Sequence, residues 1–218
     1  EADPGAGKTR QQAARQRAAE ERAARIRGAL GQLPDIADSK KAKDRENARA
    51  STTDADARVM KMGDGGFRPA FNVQLATATD SQIITGVEVT NSGGDQGQLA
   101  PMIEQHQSRY EQVPDEALVD GGFVKKEDIE KVEQGGTTVY APVQKPKDPQ
   151  RDPHMPLDDD SPEVAAWRQR MATDEAKAIY RERAATAECV NALARNRGLQ
   201  RFLVRGLRKV KAIALLYA

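Results

Sequence analysis

Asp120 is a residue whose type and position could support catalysis. It follows residues 116–119, a short apolar segment that predicts a buried β-strand, and it precedes Gly121 and Gly122. The carboxyl ends of strands in α/β sheets face a crevice in which active sites are built. A carboxylate in that position can bind a hard divalent cation. An aspartate that serves only as a turn residue between a strand and a helix explains the same pattern.

Glu188 is the second such residue. It lies within residues 173–197, for which the sequence predicts one long helix with Thr173 as its N-cap and Gly198 just past its end. Arg195 follows Glu188 by seven residues and therefore shares its face of that helix. The alanines around Glu188 would allow another chain or a nucleic-acid strand to approach closely. A solvated glutamate on an exposed helix face is the alternative interpretation.

Positive charge is concentrated near the C-terminus, although the formal net charge of the chain is only +1. No acidic residue follows Glu188, and the basic residues after it are Arg195, Arg197, Arg201, Arg205, Arg208, Lys209 and Lys211. A basic segment in a near-neutral chain indicates a polyanion as partner. A solvated helix face, whose counter-charges lie elsewhere in the protein, is the alternative.

Composition limits the class of protein. Hydrophobic residues make up 38% and charged residues 31% of the 218 residues, which indicates a polar, soluble domain with a modest core. No apolar run approaches the roughly 20 residues of a membrane span, and the charged N-terminus does not resemble a signal peptide. One cysteine and two histidines exclude a disulfide framework and argue against a structural zinc site. These features favour a cytoplasmic protein.

The order of predicted elements indicates how these residues are positioned. Residues 8–33 predict a charged helix, and residues 34–58 predict a loop or a partly disordered linker. The later predicted strands cover residues 67–77, 83–90, 116–119 and 137–143; the helices cover 98–109, 126–134, a short segment from Ser161, 173–197 and 199–218; and residues 145–160 form an exposed loop. We expect the first two strands to pair antiparallel and Asp95 to cap the following helix. This order predicts an α/β domain.

Several segments together resemble one protein family. Residues 180–188, Tyr-Arg-Glu-Arg-Ala-Ala-Thr-Ala-Glu, resemble the tyrosine–arginine–glutamate signature of DDE-type transposases of bacterial insertion sequences, whose catalytic domain is ribonuclease H-like. Residues 118–123, Leu-Val-Asp-Gly-Gly-Phe, resemble the strand that carries the family's second catalytic aspartate. Residues 71–74, residues 89–91 with Asp95, and residues 197–207 fit the same family. The resemblance spans about residues 54–218, and the order and spacing of the motifs carry it.

The resemblance implies a fold and a division of the chain. The fold is α/β, a ribonuclease H-like mixed sheet flanked by helices, with a charged N-terminal helix. Residues 1–58 would be a charged helical segment with a linker, and residues 59–218 the catalytic domain, truncated at its C-terminus. The family's first aspartate lies on a central first strand, for which Asp54, Asp56 and Asp64 are poor substitutes because they occupy polar or turn contexts. We therefore expect the chain to be part of a longer protein, with that strand upstream.

The resemblance also implies an activity. A transposase of this family is a polynucleotidyl transferase that cleaves phosphodiester bonds and transfers the DNA strands of an insertion sequence. Asp120 and Glu188 would be catalytic residues and ligands of two Mg²⁺ (or Mn²⁺) ions. The implied DNA-binding residues are Tyr180, Arg183, Arg195, Arg197, Arg201 and Arg205. The implied partners are transposon-end and target DNA and a second copy in a homodimer of the full-length protein, in the bacterial cytoplasm and without a membrane.

Two other functions remain open. The chain could be a non-catalytic DNA-binding remnant of a decayed element, or a nuclease of the same fold. We expect the isolated chain to be poorly stable and inactive, because removal of a central strand leaves buried backbone groups without partners.

Overall fold

The chain divides into two compact units in a computed structural model that describes residues 9–146 and 148–218. The first unit takes the described residues up to Asn72 with Thr90–Gly93 and Phe202–Ala212; the second takes Val73–Val89, Gly94–Arg201 and Ile213–Ala218. Residues 1–8 and Lys147, which the predictions for residues 1–58 and 145–160 include, lie outside the described part. Asp120 and Glu188 both belong to the second unit.

Helix α1 (Arg10–Asp38) opens the first unit. Thr9 and Gln12 form a reciprocal capping box at its start. The helix continues through Pro34, and a 3₁₀ helix covers Ala42–Asn47, so the prediction of an irregular linker over residues 34–58 was wrong for its first part. Proline removes one helical hydrogen bond, and the burial of Ile36, which is 7% exposed, helps to offset that loss.

Strands β1 (Arg58–Lys61) and β2 (Phe67–Ala70) form an antiparallel hairpin in the first unit, with Val59 opposite Pro69. The single strand predicted over residues 67–77 was wrong, because β2 and β3 (Asn72–Thr77) belong to two different sheets. Pro69 cannot donate a ladder hydrogen bond and therefore suits a two-stranded hairpin.

Asp54 and Asp56 bind the start of helix α7 (Leu207–Tyr217). The Gly206 amide donates to Asp54 Oδ2 at 2.9 Å, and the Leu207 amide donates to Asp56 Oδ2 at 2.9 Å. Carboxylates satisfy the unpaired amides of a helix N-terminus and favour its positive dipole end. The helix predicted over residues 199–218 therefore begins later, after Gly206, whose φ of 87° is left-handed.

Strand β3 pairs with strand β4 (Ile84–Thr90) in a hairpin. The sequence predicted this pairing between residues 83–90 and the strand before them. The Ala78 amide donates to Ile83 O at 2.9 Å, and a connection this short joins antiparallel strands. Helix α2 (Leu99–Tyr110) follows. The side-chain amide of Gln105 in this helix accepts from Val87 N at 3.0 Å and donates to Val87 O at 3.1 Å. These two hydrogen bonds occupy one edge of β4 at Val87.

A β–α–β unit positions Asp120. Strand β5 (Glu116–Leu118) and strand β6 (Thr138–Tyr140) are parallel, and helix α3 (Lys126–Gln134) connects them. The predicted bounds of α3 are confirmed, and both strands lie within the predicted segments. The Val119 amide donates to Tyr140 O at 3.0 Å, so backbone pairing continues up to the residue before Asp120.

Helix α4 (Pro162–Ala172) covers the β–α–β motif formed by β5, α3 and β6. Its predicted start is confirmed, because Ser161 Oγ accepts the Val164 amide and Pro162 occupies the first turn. Trp167, which is 1% exposed, packs in a core with Ile129 and Val139, and its indole N–H donates to Ala141 O at 3.2 Å. Trp167 therefore anchors α4 in this core.

The long helix predicted over residues 173–197 is interrupted. The structure has helix α5 (Asp174–Arg183), a π-helical turn over Ala184–Glu188, and helix α6 (Cys189–Asn196). Thr186 is buried, and its hydroxyl donates to Glu182 O at 3.0 Å, a side-chain bond that competes with the regular helix ladder. The predicted ends are confirmed: Thr173 caps α5, and Gly198 follows α6 with φ of 97°.

The mixed α/β class predicted from the sequence is confirmed. The strands in the described residues form three two-stranded sheets, β1–β2, β3–β4 and β5–β6. The predicted loop over residues 145–160 contains turns and bends but neither helix nor strand at its described positions.

Candidate active site

Asp120 lies directly beyond the carboxyl end of β5, as predicted. The Gly122 amide donates to Asp120 Oδ1 at 2.8 Å, which closes a turn of the kind that aspartate favours. The side chain is 41% exposed, so solvent and ligands can reach the carboxylate. The local turn therefore holds one carboxylate oxygen in place.

Arg183 lies beside Asp120. Its Nη2 atom is 3.1 Å from Asp120 Oδ2, and its side chain is 23% exposed. A partly exposed pair of this kind contributes about 0–1 kcal/mol to stability. Its importance is positional, because it links the last residue of α5 to the end of β5.

Tyr180 belongs to the same group of side chains. Burial raises the pKa of the Tyr180 phenol; the positive charge of Arg183 opposes that shift, and the negative charge of Asp120 adds to it. Tyr180 precedes Arg183 by three residues, so the two share one face of α5. The phenol is neutral near pH 7 and can donate a hydrogen bond.

Glu188 is exposed at the end of the π-helical turn. In an unbroken α-helix, residue 188 would lie about 140° around the axis from residue 183. In a π-helix the hydrogen bonds run from residue i to residue i+5, which places residue 188 close to one full turn from residue 183. The π-helical turn therefore moves Glu188 toward the Arg183 side of the helix.

Asp95 lies next to Asp120, which the sequence did not predict. A Cβ atom added to Gly122 would lie 3.0 Å from Asp120 Oδ1 and 3.4 Å from Asp95 Oδ2. The predicted N-cap role of Asp95 was wrong, because Gln98 is the N-cap of α2 and no side chain caps it. The Asp95 backbone carbonyl, not its carboxylate, accepts the Gln98 amide at 3.1 Å.

Gln74 of β3 holds the Asp95 carboxylate. Its Nε2 atom donates to Asp95 Oδ1 at 3.0 Å. Gln74 is only 7% exposed, so its side chain is buried. Its other polar atom, Oε1, is buried and has no hydrogen-bond partner in the part of the chain that the structure describes. A buried oxygen without a partner is costly, so Gln74 points to a missing ligand.

The predicted DNA-binding arginines are distributed over both units. Arg195, Arg197 and Arg201 are exposed in the second unit, and Arg205 is exposed in the first. Of the predicted site residues, the structure brings Asp120, Tyr180 and Arg183 together. Across residues 9–146 and 148–218, no group of three or more His, Cys, Asp or Glu side chains is arranged to hold a metal ion.

A basic cleft lies in the same unit and was also missed. It has a volume of about 480 Å³, and its lining includes Lys125, Lys145 and Arg151. Gln96, which follows Asp95 in the chain, lines it and donates from Nε2 to Val124 O at 3.1 Å. The basic residues of the lining come from several separate segments of the chain, so no single run of basic residues indicated the cleft.

Asp160 organises one wall of this cleft. Lys126 Nζ lies 2.7 Å from Asp160 Oδ1, and Arg168 Nε lies 2.6 Å from Asp160 Oδ2, while the carboxylate itself has 0% exposure. Burial alone would raise the pKa of Asp160, but the contacts with Lys126, the Leu157 amide and Arg168 hold that pKa below its usual value. The carboxylate is therefore charged near pH 7.

Comparison with known proteins identifies one family. The model of the family described as "Transposase DDE domain" matches residues 37–218. No curated protein and no solved structure shows a significant match to the chain. The helices in the described residues include none that is long and apolar enough to cross a membrane.

Proposed function

The chain belongs to the Transposase DDE domain family, and from this premise we propose that it forms part of the catalytic region of an insertion-sequence transposase. Its proposed reaction is metal-dependent cleavage and joining of DNA phosphodiester bonds. The Arg183–Asp120 contact carries the proposal, because it unites two motifs that lie 63 residues apart in sequence. Asp120 and Glu188 are the proposed catalytic carboxylates.

The proposed sheet is ribonuclease H-like. In the described residues, β3 pairs only with β4 and β5 pairs only with β6. Gln105 occupies the outer edge of β4 at Val87, so the edge of β3 is the one that can accept another strand. We propose that a further strand of the complete protein lies between β3 and β5 and carries the third catalytic carboxylate.

The donor atoms suit a divalent cation. Mg²⁺ and Mn²⁺ prefer carboxylate and amide oxygens, and the space above Gly122, which a side chain would fill, is bordered by the carboxylates of Asp120 and Asp95. Asp120 and Glu188 are the proposed ligands. Two such ions, held by these carboxylates, would supply Lewis-acid activation of water or a DNA 3′-hydroxyl and stabilisation of the negative charge at phosphorus.

The chain's own side chains would bind and orient the DNA. Arg183 can hold Asp120 and a phosphate oxygen, because its guanidinium presents several donors in a fixed plane. The neutral Tyr180 phenol can donate to a second phosphate oxygen. Arg195, Arg197, Arg201 and Arg205, with the basic cleft, would add salt-sensitive affinity for the strand.

The test is a strand-transfer assay with labelled transposon-end DNA and the complete transposase in Mg²⁺. Asp120→Asn and Glu188→Gln should each abolish joined product, whereas Asp80→Asn, an exposed turn aspartate, should leave it unchanged. Product that persists in both catalytic variants would refute the proposed roles. Cutting without joining would instead identify a nuclease. Co-migration of two protein copies with paired ends would test the proposed homodimer.

A non-catalytic DNA-binding remnant is the second candidate. It is favoured by the absence of a three-residue metal-ligand group in the described part of the chain. It predicts salt-dependent DNA binding by the complete protein without any metal-dependent product. Joined product from the wild-type protein would exclude it.

A further inference from the structure

We propose that Asp95 and Gln74 are further cation ligands, which together with Asp120 hold a divalent metal ion above Gly122. This inference rests on the proposed function, which assigns a metal to Asp120. It adds a further carboxylate and an amide oxygen to the ligands that the proposed function names.

Gly122 shows that the two carboxylates share one space. Asp120 Oδ1 and Asp95 Oδ2 lie 3.0 Å and 3.4 Å from the position of an added Cβ, so these oxygens can be no farther apart than the sum of those distances. Gly122 is itself exposed, so an ion can enter from solvent. Any residue other than glycine would place a carbon atom in this space.

Charge also favours a cation there. Arg183 contacts Asp120 through Oδ2, whereas the oxygen that borders Gly122 is Oδ1. Two carboxylate oxygens that face one space repel each other when both groups are ionised. A divalent cation between them would relieve that repulsion.

Gln74 supplies the independent indication of a ligand. It is more than nine-tenths buried, and its Oε1 atom has no hydrogen-bond partner in the described residues. Its Nε2 atom contacts Asp95, so the unpaired oxygen of the same amide lies beside that carboxylate. Rotation of a glutamine amide by 180° about its last side-chain torsion, which is broad and roughly two-fold, exchanges its nitrogen and oxygen. Gln74 can therefore donate to Asp95 without the ion and bind the ion through oxygen.

The experiment is a Mn²⁺ titration of the complete transposase by calorimetry, without DNA. Asp95→Asn should weaken Mn²⁺ binding about 10- to 100-fold, as loss of a metal-site partner commonly does. Gln74→Leu should weaken it as well, whereas Gln74→Glu, which keeps an oxygen, should retain it. The matched control is Asp80→Asn, which makes the same change at an exposed turn and should bind as the wild type does.

Thermal unfolding with and without Mn²⁺ separates a ligand from a structural residue. If Asp95 only anchors Gln74, Asp95→Asn lowers Tm equally in both conditions, which overturns the inference. If Asp95 is a ligand, the variant loses the increase in Tm that Mn²⁺ causes.

Failure of this inference is distinguishable from failure of the proposed function. Weak binding by Asp120→Asn together with unchanged binding by Asp95→Asn overturns the inference alone. Unchanged binding by Asp120→Asn overturns the proposed metal role of Asp120 as well. Absence of Mn²⁺ binding by the wild-type complete protein also overturns the inference, and strand transfer by that protein then tests the function separately.

Discussion

Arg183 Nη2 lies 3.1 Å from Asp120 Oδ2, and this contact joins the C-terminal end of α5 to the carboxyl end of β5. Tyr180 lies on the same face of α5 as Arg183. The π-helical turn begins at Ala184, the residue after Arg183. The contact therefore lies immediately before the segment that carries Glu188.

Replacement of Arg183 should impair strand transfer more than stability. Arg183→Ala should reduce the rate of strand transfer by the complete protein about 100-fold, because small displacements of reacting groups cost that much. Arg183→Lys should restore only part of the rate, since lysine lacks the planar fork. Lys177→Ala, which removes an exposed cation from the same helix, is the control and should have no effect. Equal rates for Arg183→Ala and the control would contradict the prediction.

Removal of one residue from the π-helical turn should preserve the position of Glu188, whereas an added residue should misplace it. Deletion of the exposed Ala185 lets the turn relax to an α-helix, in which Glu188 follows Arg183 by four residues and lies about 40° from it around the axis, again on the Arg183 side. We expect this variant to retain strand transfer. Insertion of one alanine after Ala185 instead rotates Glu188 by about 100° away from that side and should abolish strand transfer. Equal activity of the deletion and insertion variants would show that the turn does not orient Glu188.

Asp160 should make stability dependent on pH. Its pKa is lowered in the folded state, so its contribution is complete above the unfolded pKa of about 4 and is lost as pH falls through the folded pKa. Asp160→Asn should cost about 3 kcal/mol at pH 7, because it leaves Arg168 and Lys126 without their buried partner.

The Asp160→Asn variant should also lose part of the acid dependence of its unfolding free energy, measured by urea denaturation between pH 7 and pH 3. Asp159→Asn is the matched control, since Asp159 also contacts Lys126 but is 76% exposed. A larger stability loss in Asp159→Asn than in Asp160→Asn would refute this account.

Trp167 should be the main anchor of α4. Trp167→Ala should lower the free energy of unfolding by about 3–5 kcal/mol, because it opens a cavity and leaves the Ala141 carbonyl without its indole donor. Trp167 is the only tryptophan, so circular dichroism must replace fluorescence as the probe. Phe67→Ala, at an aromatic residue that is 69% exposed, should have little effect. A similar loss in both variants would contradict the prediction.

The 218-residue chain alone should not transfer DNA strands in Mg²⁺. It supplies Asp120 and Glu188. Its described residues, however, contain no group of three or more His, Cys, Asp or Glu side chains that could hold a metal ion. The measurement is formation of joined product by equal amounts of the chain and of the complete transposase. Joined product from the chain alone would refute the need for the carboxylate of the proposed further strand.

The sequence by itself determined much of the secondary structure and the family. The bounds of α3, the Ser161–Pro162 start of α4, the Thr173 cap and the Gly198 stop follow from local propensity and capping, which act within a few residues. The order of the motifs around Asp120 and Glu188 indicated the transposase family, and the family model confirms that membership over residues 37–218. The ribonuclease H-like sheet and the catalytic roles stay predictions.

Only the tertiary structure decided which side chains meet. The split between β2 and β3 depends on strand partners, and the π-helical turn over Ala184–Glu188 interrupts a segment that the sequence predicts as one uniform helix. Asp95 lies 25 residues before Asp120, and its proximity follows from the packing of Gln74, Asp95 and Gly122. Side-chain periodicity reports which face of an element is apolar. It carries no information on which distant residue lies across that face.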